Sequence, residues 1–220
     1  MSAVLAPPEA LPRDEVPDRE SFRRVSGASD AAMADLDAFL VLVADWNEKM
    51  NLVGPATLPI FWSRHAWDSA QLLFHAPQAR TWADLGAGAG FPGIVLAILL
   101  KDTPGGHVHL VESMAKRCRF LAEVVAALDL PATIHNARAE DTDITVDIVT
   151  ARACAPAIRL LGYAQPYLRR GALSLFLKGQ DVESELTEAT KCWKFQSSLR
   201  PSLSSPASHV LVIEVTPRER

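Results

Sequence analysis

The sequence is poor in cysteine and has no long apolar run, and each shortage excludes a class of protein. Three cysteines in 220 residues, Cys118, Cys154 and Cys192, stand far apart with no paired spacing. An odd, scattered set supplies neither a disulfide frame nor a zinc site, so no metal is expected and all three read as buried, reduced thiols. The longest apolar stretch, 94–100, stops at Lys101. A membrane span needs roughly 20 such residues. The first twenty residues lack a basic start followed by an apolar stretch, so no secretory signal is read there and a cytoplasmic location is expected. Strong charge of one sign is also lacking: the net charge is −4. A small negative total speaks against a nucleic-acid partner, but its distribution is uneven. Residues 150–220 carry ten basic and six acidic groups, whereas 31–149 carry eight and fourteen. A basic face for RNA therefore remains open.

What is present is a helical start followed by alternating strands and helices. Residues 1–30 hold four prolines among charges and read as a loose arm. Met33, Leu36, Phe39, Leu40, Val43, Trp46 and Met50 recur at helical steps. After the break at Gly54-Pro55, Thr57 is placed to cap a second helix running through Arg64, His65 and Asp68 to about His75. Residues 31–79 thus form a small helical cap. From residue 80 to 220 the rhythm changes, with strands predicted at 81–85, 107–112, 132–136, 146–151 and 172–179 and helices between them. Two final strands, near 193–198 and 209–215, have no helix between them and predict an antiparallel pair. The expected fold is α/β: a mostly parallel, doubly wound sheet of seven strands with an antiparallel last strand.

The strongest chemical signal is the turn Asp84-Leu-Gly86-Ala-Gly88-Ala-Gly90-Phe91-Pro92-Gly93, between a strand and a helix. Glycines there let the backbone bend sharply and approach a ligand closely. In an open parallel sheet such a turn borders the ligand crevice. The spacing Gly88, Gly90, Gly93 also satisfies a dinucleotide fingerprint, which keeps a nicotinamide dehydrogenase open. Asp84 favours a different ligand. A carboxylate before the first glycine attracts the cationic methionine end of S-adenosylmethionine and repels a pyrophosphate. Glu112, ending the second strand, can accept both ribose hydroxyls, and Ala139 and Glu140 follow the third strand where an adenine would lie.

If methyl transfer is the chemistry, two devices are missing. The position after strand four reads Thr150-Ala151-Arg152-Ala153, with no Asn/Asp-Pro-Pro-aromatic stretch to hold an exocyclic amine, and Cys154 lacks the context of a C5 nucleophile. A purine ring nitrogen with its own lone pair needs neither.

The combination Asn47-x-x-x-Asn51-Leu52, Arg64-His65-x-x-Asp68-Ser69, the glycine turn, Glu112-Ser113-x-x-Lys116-Arg117, Arg138-Ala139-Glu140, Arg152 and Lys178-Gly179 resembles the 16S ribosomal RNA guanine-N7 methyltransferases. The resemblance spans roughly residues 35 to 215. It implies a Rossmann-like class I methyltransferase fold, S-adenosylmethionine as cofactor, and 16S rRNA or the small ribosomal subunit as partner, with a monomer as the expected state. Carried onto this sequence, it implies cofactor contacts at Gly86, Gly88, Phe91, Glu112, Ala139, Glu140 and Arg152. Arg64, His65 and Arg152 are positioning candidates, and Arg64 and Lys178 are candidates for RNA contact. Lys116, Arg117 and Arg119 read as a solvated helix face. A non-catalytic ribosome-assembly factor that binds cofactor and RNA is the other alternative, because N7 transfer needs no diagnostic side chain.

Overall fold

The computed structural model describes residues 16–214. The terminal residue of the predicted last strand, Val215, and the first half of the predicted arm lie outside that range. Within it, part of the arm is ordered chain: α1 (Arg19–Ser26) opens on a capping box between Asp18 and Ser21 and ends at Gly27, φ 66°. Four prolines suggested a loose segment, but none falls within 19–26, and Phe22 anchors the helix in the core. Ser29 caps α2 (Asp30–Asn47) by accepting the Ala32 amide at 3.2 Å. Its last residue, Asn47, holds the following turn: the side-chain oxygen accepts Leu52 and Val53 amides at 2.8 and 3.0 Å.

The next segment departs from the single capped helix predicted from Thr57. The chain enters a 3-10 segment, Pro55–Ile60, widens into a π-helical turn, Trp62–Trp67, and becomes regular only in α3 (Asp68–His75). Pro59 explains the delay, since it offers no amide to an α-helical interior. Thr57 does not cap; its hydroxyl donates to the Gly54 carbonyl at 2.7 Å.

The seven strands follow the predicted alternation: β1 (Thr81–Leu85), β2 (His107–Val111), β3 (Ala132–His135), β4 (Ile148–Arg152), β5 (Leu173–Lys178), β6 (Gln196–Pro201) and β7 (His209–Glu214). Their helices are α4 (Gly93–Leu100), α5 (Ala115–Ala127), α6 (Ala157–Leu168) and α7 (Val182–Thr190). They form one sheet in the order β3-β2-β1-β4-β5-β7-β6. The strands from β3 to β5 run parallel, and β7 lies antiparallel between β5 and β6. Chain direction reverses its march across the sheet between β1 and β4, so the crevice beyond their carboxyl ends is the expected ligand site.

Two apolar cores cover the two faces of the sheet. α1, α2, α4, α5 and the cap close one, with Trp67, Trp82 and Phe120 fully buried. α6 closes the other around Tyr167 and Phe176. Asp147 pins the start of β1 by accepting the Arg80 and Thr81 amides at 2.8 and 2.9 Å. The cap is fastened by a buried polar seam as well as by apolar contact. Gln71 of α3 accepts the Leu203 amide at 2.7 Å, and the Trp67 indole donates to the Leu203 carbonyl at 2.9 Å. The β6–β7 connection is thereby seated on α3. Among the described residues, no helix is long and apolar enough to cross a membrane.

Candidate active site

The glycine turn after β1 is built around three left-handed residues, Gly86 (φ 70°), Gly88 (φ 54°) and Gly90 (φ 85°). It folds back on β2, with the Gly86 and Ala87 amides both donating to the Val111 carbonyl. Each glycine answers a different constraint. A β-carbon at Gly86 would come within 2.7 Å of the Cys154 sulfur, and one at Gly93 within 2.7 Å of the Asp84 carboxylate. At Gly88 the nearest atom would be the Gly86 carbonyl oxygen, 3.6 Å away. The turn is therefore tight beneath and open above, on the side that borders a crevice.

That crevice has two lobes, of about 780 and 680 Å³, sharing Gly86, Arg117, Ala153 and Cys154 in their walls. Both volumes lie in the range of small-molecule sites. The second lobe gathers Glu112, Met114, Ala139, Glu140 and Tyr163. Glu112 is buried, 3% exposed, and not a solvated strand end. Its Oε2 accepts the Gly88 amide at 3.0 Å and its Oε1 the Met114 amide at 2.8 Å. Each oxygen keeps a lone pair for a further donor. Ala139 and Glu140 lie in a short 3-10 turn, Ala139–Asp141, after β3.

The first lobe gathers Gly88, Phe91, Arg64, His65, Asp68, Arg152 and Lys178. Here the π-helical turn of the cap meets the end of β4. The Arg152 guanidinium donates to the Arg64 carbonyl at 3.0 Å, the Asp68 carboxylate at 3.3 Å and His65 Nδ1 at 2.9 Å. It also lies over the Phe91 ring, 4.8 Å from the centroid, while the His65 ring stacks on Phe91 at 4.5 Å. His65 Nε2 is 2.9 Å from the Thr57 hydroxyl. Thr57 uses its one proton on Gly54, so it accepts from Nε2–H, and Nδ1 is left to accept from Arg152. Burial, reinforced by the Arg152 charge, lowers the His65 pKa to about 3, so the ring is neutral. The acid that Arg152 meets is Asp68 of α3.

Asp84 lies under the turn, fully buried. One carboxylate oxygen accepts the Gly93 amide at 2.8 Å, and the other is buried with no hydrogen-bond partner among the described residues. Burial raises its pKa to about 7, with the Gly93 amide and Arg152 opposing the rise. An unpaired, costly carboxylate beneath the glycine turn suits a cationic ligand. Lys178 is not a free cation: its ammonium group is 2.6 Å from Glu185 and 3.1 Å from the Ala155 carbonyl, with the side chain 10% exposed.

The structure thus brings every predicted site residue to one crevice, and adds four. Arg117, read from sequence as part of a solvated face, lines both lobes and lies 3.8 Å from Glu112. It occupies the first turn of α5, directly after the strand-end acid, and that position was the available signal. Asp68 stood in the motif that carries the family resemblance but with no role assigned to it, and Tyr163 had no signal beyond its residue type. Cys154, predicted buried like the other thiols, is exposed at the junction of the lobes, as is Cys192 on the surface; only Cys118 is buried. Surrounding protein and the carboxylates of Asp84 and Glu112 still push the Cys154 pKa up to about 11. Ala153, between Arg152 and Cys154, holds a left-handed φ of 50°.

A family model described as rRNA small subunit methyltransferase G matches residues 32–210. Ribosomal RNA small subunit methyltransferase G of Caulobacter sp. (strain K31) is 65% identical over 214 residues, covering 97% of this chain and 96% of that protein. The protein of the same name from Caulobacter vibrioides (strain NA1000 / CB15N) is 59% identical over 216 residues, 98% of this chain and 100% of that one. Among solved structures, a SAM dependent methyltransferase from Aquifex aeolicus superposes with a TM-score of 0.57 at 16% identity, covering 77% of this chain and 98% of that one. At that identity the likeness is one of fold. The full-length sequence matches and the family model lead to one conclusion: this chain belongs to the GidB family, rRNA small subunit methyltransferase G.

Proposed function

We propose that this chain transfers a methyl group from S-adenosylmethionine to N7 of a guanine in 16S rRNA of the small ribosomal subunit. Bound S-adenosylmethionine would supply an electrophilic methyl group on a sulfonium centre. Glu112 would hold the ribose hydroxyls, the Ala139–Glu140 turn the adenine edge, and Gly86 and Gly88 the methionine end above the Asp84 charge. The open side of the glycine turn and the unpaired Asp84 oxygen support that fit. The dehydrogenase alternative does not survive family membership.

The observation that carries the N7 reading is the chemistry of the first lobe beside β4. Arg152 offers donors where an amine-methylating site needs acceptors, and the Cys154 thiol stays protonated at neutral pH. His65 has both ring nitrogens engaged. Among the described residues of this lobe, neither His65 nor Cys154 is placed to remove a proton or attack carbon. A ring nitrogen needs no deprotonation, only in-line placement, so the chain's task is to orient and exclude water. Arg64, which lines this lobe, is the candidate for an RNA phosphate. The crevice is complete within one chain, which supports a monomer as the working unit, and ribosomal RNA as acceptor supports a cytoplasmic location.

The test is direct. Purified chain, S-adenosylmethionine and small subunits from cells lacking this gene are incubated, and the rRNA is cleaved chemically at N7-methylguanine. One new cleavage site is expected. Methyl incorporation at another atom would move the chemistry, and binding without incorporation would favour the assembly-factor alternative.

A further inference from the structure

Resting on that reading, we infer that Asp68 is a positioning residue for methyl transfer, holding the Arg152 guanidinium at the crevice wall for the acceptor base. The geometry divides the two oxygens of one buried carboxylate between two elements. Oδ1 accepts from the Ser204 hydroxyl of the β6–β7 connection at 2.5 Å and from Gln71 Nε2 at 3.2 Å. Oδ2 accepts from Arg152 at 3.3 Å. Asp68 is 4% exposed, so its orientation is set by these partners and not by solvent. The path is continuous: Ser204 and Gln71 fix Asp68, Asp68 fixes Arg152, and Arg152 fixes His65, which hydrogen-bonds Thr57. The π-helical turn makes this possible, because it directs the Arg64 carbonyl, the His65 ring and the Asp68 carboxylate to a single guanidinium.

A guanidinium carries five N–H donors. Three of Arg152's are taken by Arg64, Asp68 and His65, and the other two have no protein acceptor among the described residues. They belong to a side chain that lines the acceptor lobe and does not line the lobe of Glu112 and Ala139. Guanine presents O6 beside N7 on one edge. An N–H donated to O6 would orient the base and leave the N7 lone pair free, whereas adenine presents an amino group at the same place. The paired carboxylate also offsets the guanidinium charge in a crevice meant for a cationic sulfonium.

A clasp that merely held the cap on the sheet would show itself in stability alone. The experiment therefore measures kcat per folded molecule on small subunits, affinity for S-adenosylhomocysteine, and the ¹⁵N shifts of the His65 imidazole, in wild type and Asp68→Asn. Wild type should show the fixed Nε2–H tautomer. Asp68→Asn should lower kcat roughly 10- to 100-fold, the scale of a lost orientation. Its affinity for S-adenosylhomocysteine should stay within about threefold, and the His65 signals should shift towards a tautomer mixture. Should that variant fail to fold, Ser204→Ala frees the same carboxylate without removing its charge and should shift both readouts in the same direction. A kcat within about twofold of wild type, or a fall in kcat with unchanged His65 signals, overturns the inference. An inactive wild-type chain would instead overturn the methyltransferase reading, and with it any role for Asp68 in that reaction.

Discussion

The Cys154 sulfur sits against Gly86 so closely that a β-carbon on the glycine would approach it to 2.7 Å. Two constraints thus act on Gly86, its left-handed φ of 70° and the thiol beside it, whereas Gly88 bears the left-handed constraint alone. Gly88→Ala should cost about 1–2 kcal/mol, the strain of the backbone region. Gly86→Ala should cost about 1–3 kcal/mol more through overpacking. Cys154→Ala in the Gly86→Ala background should recover part of that excess. Urea denaturation of the three variants checks the ordering; equal losses at the two glycines would show that the sulfur is not the constraint.

Glu112→Ala should weaken S-adenosylmethionine binding by about 1.5–3 kcal/mol, the loss of charge-assisted hydrogen bonds. Because Glu112 also accepts the Gly88 amide, the turn itself should loosen, and Glu112→Gln should retain part of the affinity. Titration calorimetry on folded variants is the check. Wild-type affinity in the alanine variant would remove Glu112 from the site.

Protonation separates two buried groups by sign. Asp84 has its pKa raised to about 7, so its protonated form is favoured by folding; that contribution is complete below about pH 4 and is lost as pH rises to about 7. His65 has its pKa lowered to about 3, so its contribution is complete above about pH 6.5 and is lost as pH falls towards 3. Between pH 4 and 6.5 the two slopes oppose. Asp84→Asn should therefore make stability rise more steeply with pH across that window, and His65→Gln should flatten the rise. The cationic cofactor favours ionised Asp84, so its affinity should weaken as pH drops below about 7 in wild type and not in Asp84→Asn. Chemical denaturation and calorimetry across pH 4–8 test both statements, and a pH-independent wild-type affinity would separate Asp84 from the ligand.

How much of this was legible in the sequence depended on whether a feature was local. The parallel strands, the antiparallel close and the glycine turn follow from periodicity and from residues a few positions apart. Glu112 was found because strand ends on one edge of a parallel sheet converge. The partners of Arg152 and Lys178 were not found, because Asp68 lies 84 positions away and Glu185 is contributed by the neighbouring α7. Pro59 was visible, but the apolar and polar spacing around it read as one helix. Helical spacing identified Arg117 as part of a polar face without telling that this face also borders a crevice.

Ion pairing within the crevice also revises where RNA should be felt. Lys178 is neutralised by Glu185, whereas the Arg64 side chain lines the crevice without an acidic partner among the described residues. Arg64→Ala should lower the slope of log affinity against log salt by about 0.7–0.9, one phosphate contact. Lys178→Ala should leave the slope unchanged and reduce stability. Filter binding to 16S rRNA over a salt series decides it, and a slope altered by Lys178→Ala alone would reverse the assignment.

On the proposed function, one guanine of 16S rRNA would acquire its N7 methyl group from this chain. Mapping N7-methylguanine along 16S rRNA from cells with and without the gene tests it most directly. A single modified guanine should disappear on deletion and return when the wild-type gene is restored. An N7-methylguanine pattern identical in the two strains would contradict it.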